Sequence, residues 1–301
     1  MTSATKDARD SSPPTQLNVP TPEDLTITPR DRRFGRDKAQ NRWWLNDDPI
    51  ATAFYNSLSV TFPRGEAFFI ESVKAFRDDL PERLSKEIRA FVKQEIMHTR
   101  EHVAFNRRVT ESGYDIAALE QSVKDGLELT KDRPKIANLA ATMCLEHFTA
   151  IIAQQLIANR RHLKGADAES VHLWRWHAME EIEHKGVAYD TWLHATKDWS
   201  RWQRWKVKSL VMLNITKNFL AKRFSNMVDL LEQDGFKGPA IWARILWYAF
   251  GRPGMARKII TPWISFFLPG FHPWNHDDRA LIGLAESEYQ DAILPKDGVT
   301  A

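Results

Sequence analysis

Between about residues 60 and 198 the chain repeats apolar residues at helical spacing in four long segments, and each segment carries a glutamate within its apolar stripe. The segments are read at roughly 63–79, 82–110, 134–162 and 167–197. In the first, Phe62, Glu66, Phe69, Ile70 and Val73 share a face. The second aligns Ile88, Phe91, Glu95, His98, His102 and Phe105. The third aligns Leu139, Met143, Glu146, Ala150, Ala153 and Ile157, and the fourth Leu173, Trp174, His177, Glu181, His184 and Ala188. An isolated ionised carboxylate facing a core costs several kcal/mol, so it must take up a proton or find a partner. Four such intrusions in one chain call for a shared partner.

The segment ends carry ordinary helix punctuation. Pro63 and Pro134 suit the first helical turn, Ser112-Gly113 and Gly165 suit helix ends, and Asp167 is a suitable N-cap. Between the second and third helices lies "ESGYDIAALEQSVKDGLELTKDR", longer than an antiparallel hairpin needs. Strand-like alternation is hard to find. The expected fold is therefore all-α: a ferritin-like four-helix bundle with a long crossover between helices 2 and 3, plus a Trp-rich helical C-terminal extension. The expected divisions are a disordered tail over 1–30, the bundle over 31–198, the extension over 199–290 and a tail over 291–301. The N-terminal stretch is rich in Ser, Thr, Pro and charge and lacks the apolar run of a signal peptide.

Two segments add Glu-x-x-His: Glu95/His98 and Glu181/His184. One Glu from each of two helices and Glu-x-x-His from each of the other two is the donor pattern of carboxylate-bridged two-metal bundles. Two divalent ions bring four positive charges, which four glutamates neutralise. His177 lies on the same stripe as Glu181 and His184 and is read as a seventh ligand, with a core histidine bonded to a carbonyl as the alternative. His102 is one turn beyond His98 and is expected to support the site or line its pocket. Glu180 and Glu183 leave the stripe and are expected to be solvated or to back up a ligand. Asp190 is weighed between orienting a ligand imidazole and plain exposure. His147 turns away from Glu146 and is expected to pack or touch another helix.

Composition narrows the chemistry. The single cysteine, Cys144, rules out an intrachain disulfide framework and a Cys-rich zinc site, which leaves oxygen and imidazole donors. It also suits a reducing cytoplasm, the expected location. A net charge of +3 gives no reason to expect nucleic acid. No flavin or NAD fingerprint is present, so no organic cofactor is expected.

The stretches "FVKQEIMHTREHVAFN", "CLEHFTA", "WRWHAMEEIEHKGVAYD" and "PGFHPWNHDD" resemble a bacterial family described as predicted metal-dependent hydrolases, over roughly residues 30–290. The ligand pattern is also similar to that of di-iron N-oxygenases of the p-aminobenzoate N-oxygenase kind, which use four glutamates and three histidines. Carried over, these are Glu66, Glu95, His98, Glu146, His177, Glu181 and His184. That second resemblance implies two iron ions, O2 and an electron donor, and puts the hydrolase description in doubt. The leading expectation is a di-iron oxidase or oxygenase acting on an apolar or lipid-like substrate. The alternatives are a dinuclear hydrolase using Zn, Mn or Fe, and a non-catalytic iron-binding bundle. Aspartates and a basic phosphate pocket would favour hydrolysis, whereas the stripes here show Phe, Met, Ala and Trp.

After residue 198 the chain becomes apolar and basic together, as in "RWQRWKVKSLVMLNITKNFLAKRF". Helices packing on the bundle are expected. The sharper alternatives are contact with anionic lipid at the inner membrane through 199–270, a cap over a lipophilic channel, or a homodimer face. No uncharged run there is long enough to span a membrane. "FHPWNHDD" is expected to be a turn fixing the extension to the bundle, with a second metal site as the alternative.

Overall fold

A computed structural model describes residues 21–36 and 38–293, which hold helices and no strand. The bundle is built from α1 (Pro49–Lys74), α2 (Glu82–Glu111), α4 (Lys135–Ala158) and a fourth helix in two pieces, α5 (Ala168–His184) and α6 (Val187–Ala195). α1 packs along α2, α4 along α5 and α6, and the two pairs meet through α1 with α4 and α2 with α5 and α6. The crossover between α2 and α4 contains α3 (Ala117–Glu128), which lies on α1. The chain is an all-α helical bundle.

The first helix starts earlier than its periodicity suggested. Asp48 caps it by accepting from the Ile50 and Ala51 amides, with Pro49 at the first turn, and Pro63 falls inside the helix. The missed turns bury Thr52, Asn56, Ser57 and Ser59 among Ile50, Ala53, Tyr55, Leu58 and Val60, so polar residues interrupt the apolar periodicity. Proline removes an N–H and would strand the carbonyl four residues before it. Here the Asn106 side-chain amide, on α2, donates to the Ser59 carbonyl at 3.2 Å. α5 begins as expected, with Asp167 accepting from the Ser170 amide at 3.0 Å.

The expected continuous fourth helix is broken at Lys185-Gly186. Lys185 is buried and its ammonium meets Asp278, the His276 carbonyl and the face of Trp274. Gly186 is pressed against Trp274, whose Cδ1 would lie 3.0 Å from an added Cβ. The "FHPWNHDD" loop thus docks at the break, with His272 bonded to Asp190 and His276 to Asp278.

The buried apolar side chains form two clusters. One gathers the start of α1, the ends of α2 and α4 and most of α5. The other gathers the end of α1, the starts of α2 and α4, and α6. The inward glutamates occupy the seam between them.

The extension comprises α7 (Arg201–Gln233), α8 (Pro239–Leu246), α9 (Met255–Ser265) and α10 (Arg279–Ile293). α7 lies across α1 and α4, α9 on α4, and α10 on α5 and α4. His147 touches this layer, bonding the Pro262 carbonyl at 3.1 Å. Residues 21–30 are part of the folded body rather than a tail: Thr21 and Ile27 are buried, and Arg30 pairs with Glu180 and Glu183. The rest of the expected N-terminal tail, 1–20, lies outside the described residues, as does 294–301. α4 is long and apolar enough to cross a membrane by length and composition, but 72% of its most apolar window is buried in the bundle.

Candidate metal centre

The seven residues expected as ligands converge in the seam. Glu66, Glu95, Glu146 and Glu181 are between 0% and 5% exposed, and His98, His177 and His184 are buried beside them. They fall into two groups. Glu66, His98 and His177 bring one donor atom each within 4.8 Å of one another, and Glu95, Glu181 and His184 do the same. Glu146 joins the second, its Oε2 3.4 Å from His184 Nε2. Glu181 touches both groups: Oε1 is 2.8 Å from His177 Nε2, and Oε2 is 3.6 Å from His184 Nε2.

The donor atoms are conspicuously unsatisfied. Glu66 Oε1, both oxygens of Glu95 and of Glu146, Glu181 Oε2, His98 Nδ1 and His184 Nε2 are buried with no hydrogen-bond partner. Buried polar atoms are nearly always paired, and so many orphans pointing at one seam fit metal ions as the missing partners. Burial, aided by the like charges of Glu181 and Glu146, holds the Glu66 and Glu95 carboxyls well above their usual range. Burial pushes Glu146 up to about 7. It pushes the imidazoles of His98 and His177 down to about 3 and about 4, which leaves them neutral and able to ligate. For His184, burial opposes protonation but is outweighed by Glu181 and Glu146, so its pKa is raised. Without cations, protons must supply the compensating charge.

Each histidine is held from behind, and the hydrogen bonds fix which nitrogen is bare. Glu180 Oε2 lies 3.0 Å from His98 Nε2 and accepts its proton, leaving Nδ1 for the centre. Gln94 donates its amide to Glu183 and the Thr28 carbonyl, so its Oε1 accepts from His184 Nδ1 at 2.9 Å and leaves Nε2 as the nitrogen that faces the centre. The third chain is longer. Asn106 donates to the Ser59 carbonyl freed by Pro63, which turns its Oδ1 toward the Ser59 hydroxyl. Ser59 donates to that oxygen at 2.6 Å and accepts from His102 Nδ1 at 2.8 Å. His102 Nε2 is then an acceptor, taking the proton of His177 Nδ1 at 2.6 Å and leaving His177 Nε2 facing Glu66 and Glu181. Partners of this kind fix the tautomer and raise the basicity of a ligating imidazole.

Of the two readings for Glu180 and Glu183, exposure is ruled out and support of a ligand fits: both are buried and share Arg30, Glu180 bonds His98, and Glu183 bonds the Gln94 that orients His184. One expectation needs correction. Asp190 orients no candidate ligand; it accepts from Thr21 and His272 and so secures the C-terminal loop. Among the described residues that loop contributes to no metal-binding group. Sequence reasoning missed Gln94, Ser59, Asn106 and Arg30, as well as Thr99, which donates to Glu66 Oε2 at 2.8 Å. Only Gln94, beside Glu95 and on the inner side of α2, had a local signal.

One cavity reaches the centre. It has a volume of about 270 Å³ and runs between α1, α3, α4, α5 and α7. Leu58, Phe62, Phe69, Ile152, Leu156 and Trp174 line it, together with Glu66 and His177 of the centre.

No curated protein and no solved structure matches the chain. A family profile described as predicted metal-dependent hydrolase matches residues 28–277. That match takes in the crossover, all seven inward residues and the docking loop as far as Asp277, so the chain belongs to the predicted metal-dependent hydrolase family.

Proposed function

We propose that the chain is a ferritin-like dinuclear metalloenzyme in which Glu66, Glu95, His98, Glu146, His177, Glu181 and His184 hold two metal ions. The cavity carries the functional reading. An apolar passage lined in part by Glu66 and His177 suits an apolar organic substrate, and with a donor set of glutamates and histidines alone it supports the reading of O2-dependent oxidation. Bound at the seam, two iron ions would supply electrons to O2, whereas two redox-inert ions would acidify a water for hydrolysis. The second reading, a metal-dependent hydrolase, is the one the family description supports more directly.

The chain's own contributions are the same in either case. His102, Glu180 and Gln94 hold the three imidazoles with their bare nitrogens inward. Thr99 fixes one oxygen of Glu66. The Phe and Leu walls exclude bulk water and strengthen every charge interaction inside. For oxidation, electrons would come from a separate donor protein.

The test loads the full chain anaerobically with Fe(II) and then admits O2. Stoichiometric O2 uptake with an iron absorption change supports oxidation. Loading with Zn(II) or Mn(II) that turns over ester or phosphodiester substrates, with no O2 uptake by the iron form, would replace it with hydrolysis. We also propose that the extension contacts a membrane surface. Exposed Trp202, Leu210, Leu213, Trp242, Leu246, Trp247 and Phe250 support this, with a homodimer face as the competing reading.

A further inference from the structure

The cavity contains a cation with nothing to balance it. Arg223, on α7, is 4% exposed and lines the cavity. Its Nη1 donates to Ser57 Oγ at 3.0 Å and its Nη2 to Thr61 Oγ1 at 3.4 Å. Its Nε has no partner, and the guanidinium carbon stands 5.3 Å from the centre of the Phe219 ring. Among the described residues no carboxylate acts on it, and burial alone pushes its pKa down to about 9. Arg30 by contrast faces Glu180 and Glu183, and Lys185 faces Asp278, while Lys208, also without a carboxylate, is held by the Phe266 and Leu268 carbonyls and lies outside the cavity. A buried charge left unpaired is destabilising, and its retention inside an apolar cavity points to an anion supplied by the occupant. The two hydroxyl partners leave a planar fork whose remaining donors suit a carboxylate.

The position of Arg223 defines the shape of that occupant. Its partners Thr61 and Ser57 precede Glu66 on α1 by five and nine residues, roughly 8 and 14 Å of helix rise. The anionic end therefore sits well away from the candidate metal ligands, and the intervening walls are apolar. Gly65 and Gly126 add room, since a Cβ built on either meets nothing within 4 Å.

We propose that the cavity takes an elongated apolar carboxylic acid, its carboxylate paired with Arg223 and its apolar end beside Glu66 and His177. This deepens the proposed function and rests on it only for what happens at the apolar end.

The test titrates full-length protein, both metal-free and metal-loaded, with decanoate, 1-decanol and decyl phosphate by calorimetry. Decanoate is expected to bind about tenfold or more tightly than 1-decanol in both forms. Arg223→Met should erase that preference, leave 1-decanol binding in place and raise the thermal midpoint of the ligand-free protein. Arg223→Lys, which keeps the charge, should retain part of the preference. Gly126→Leu, which fills the cavity, should weaken decanoate and 1-decanol together. Equal binding of decanoate and 1-decanol, or a preference that survives Arg223→Met, overturns the proposal. So does tighter binding of decyl phosphate, or decanoate binding confined to the metal-loaded form, where metal would be the anchor. Failure of metal loading or turnover, with the decanoate preference intact in the metal-free protein, would count against the proposed function alone.

Discussion

Asn106 touches no candidate ligand, yet its replacement should change metal affinity in a way that depends on hydrogen-bond direction. In the wild type the Ser59 hydroxyl donates to Asn106 Oδ1, which forces protons onto His102 Nδ1 and His177 Nδ1 and leaves His177 Nε2 bare. Asn106→Leu removes that acceptor. The Ser59 hydroxyl is then free to donate to His102 Nδ1, which moves the His102 proton to Nε2 and the His177 proton to Nε2, facing the centre. Metal binding must reverse this, at the expense of about one net hydrogen bond, ~1 kcal/mol or roughly fivefold in affinity. Asn106→Asp keeps an acceptor for Ser59 and hence the tautomers, but no longer donates to the Ser59 carbonyl beside Pro63. It should keep near wild-type metal affinity while losing ~1–3 kcal/mol of stability. Competition against a chromophoric chelator measures affinity, chemical denaturation measures stability, and ring-nitrogen NMR reports the His177 tautomer directly. Equal metal affinity for Asn106→Leu and wild type, or equal weakening by Leu and Asp, would refute the relay.

Three further outcomes follow from the same geometry. Glu95→Ala and His184→Ala should each abolish stoichiometric metal loading, measured by elemental analysis after desalting; full loading in both would remove the site. The raised pKa of Glu146, about 7 in the fold against 4.5 for a free glutamate, means this carboxyl holds more proton in the metal-free fold than in the unfolded chain between those values. Its own contribution to metal-free stability should therefore fall as pH rises through that window; the difference in thermal midpoint between wild type and Glu146→Gln across pH 4.5–7.5 isolates it, and a constant difference would refute it. Finally, the full chain should float with anionic phospholipid vesicles, and Leu246→Ser/Trp247→Ser/Phe250→Ser should reduce flotation. A wild-type chain that stays with the soluble fraction and sediments as a dimer favours the competing reading.

The inward residues were legible because helical spacing reports which side chains share a face, and a glutamate on an apolar face stands out against its neighbours. What supports those residues was not, because it comes from other elements. Nothing local links Pro63 to Asn106 or Arg30 to Glu180, and the compensation that keeps Pro63 inside α1 lies on α2. Asp190 was misjudged for a different reason. It was weighed between orienting an imidazole and plain exposure, and its actual partners, Thr21 and His272, come from segments far away in sequence that dock where the helix breaks. The start of α1 was missed because nearly every residue there is buried, with Thr52, Asn56, Ser57 and Ser59 mixed among the apolar ones, so no single apolar stripe stands out. The extension was legible as helices, but its contribution to the cavity wall through Phe219 and Arg223 depends on how α7 lies across α1 and α4.

The most direct test of the two-metal centre is anomalous diffraction from crystals of the metal-loaded full chain, collected at the absorption edge of the bound element. Two peaks per chain are expected, one among Glu66, His98 and His177 and one among Glu95, Glu146 and His184, with Glu181 reaching both. A single peak, or peaks located at the His272–His276 loop with the seam empty, would contradict it.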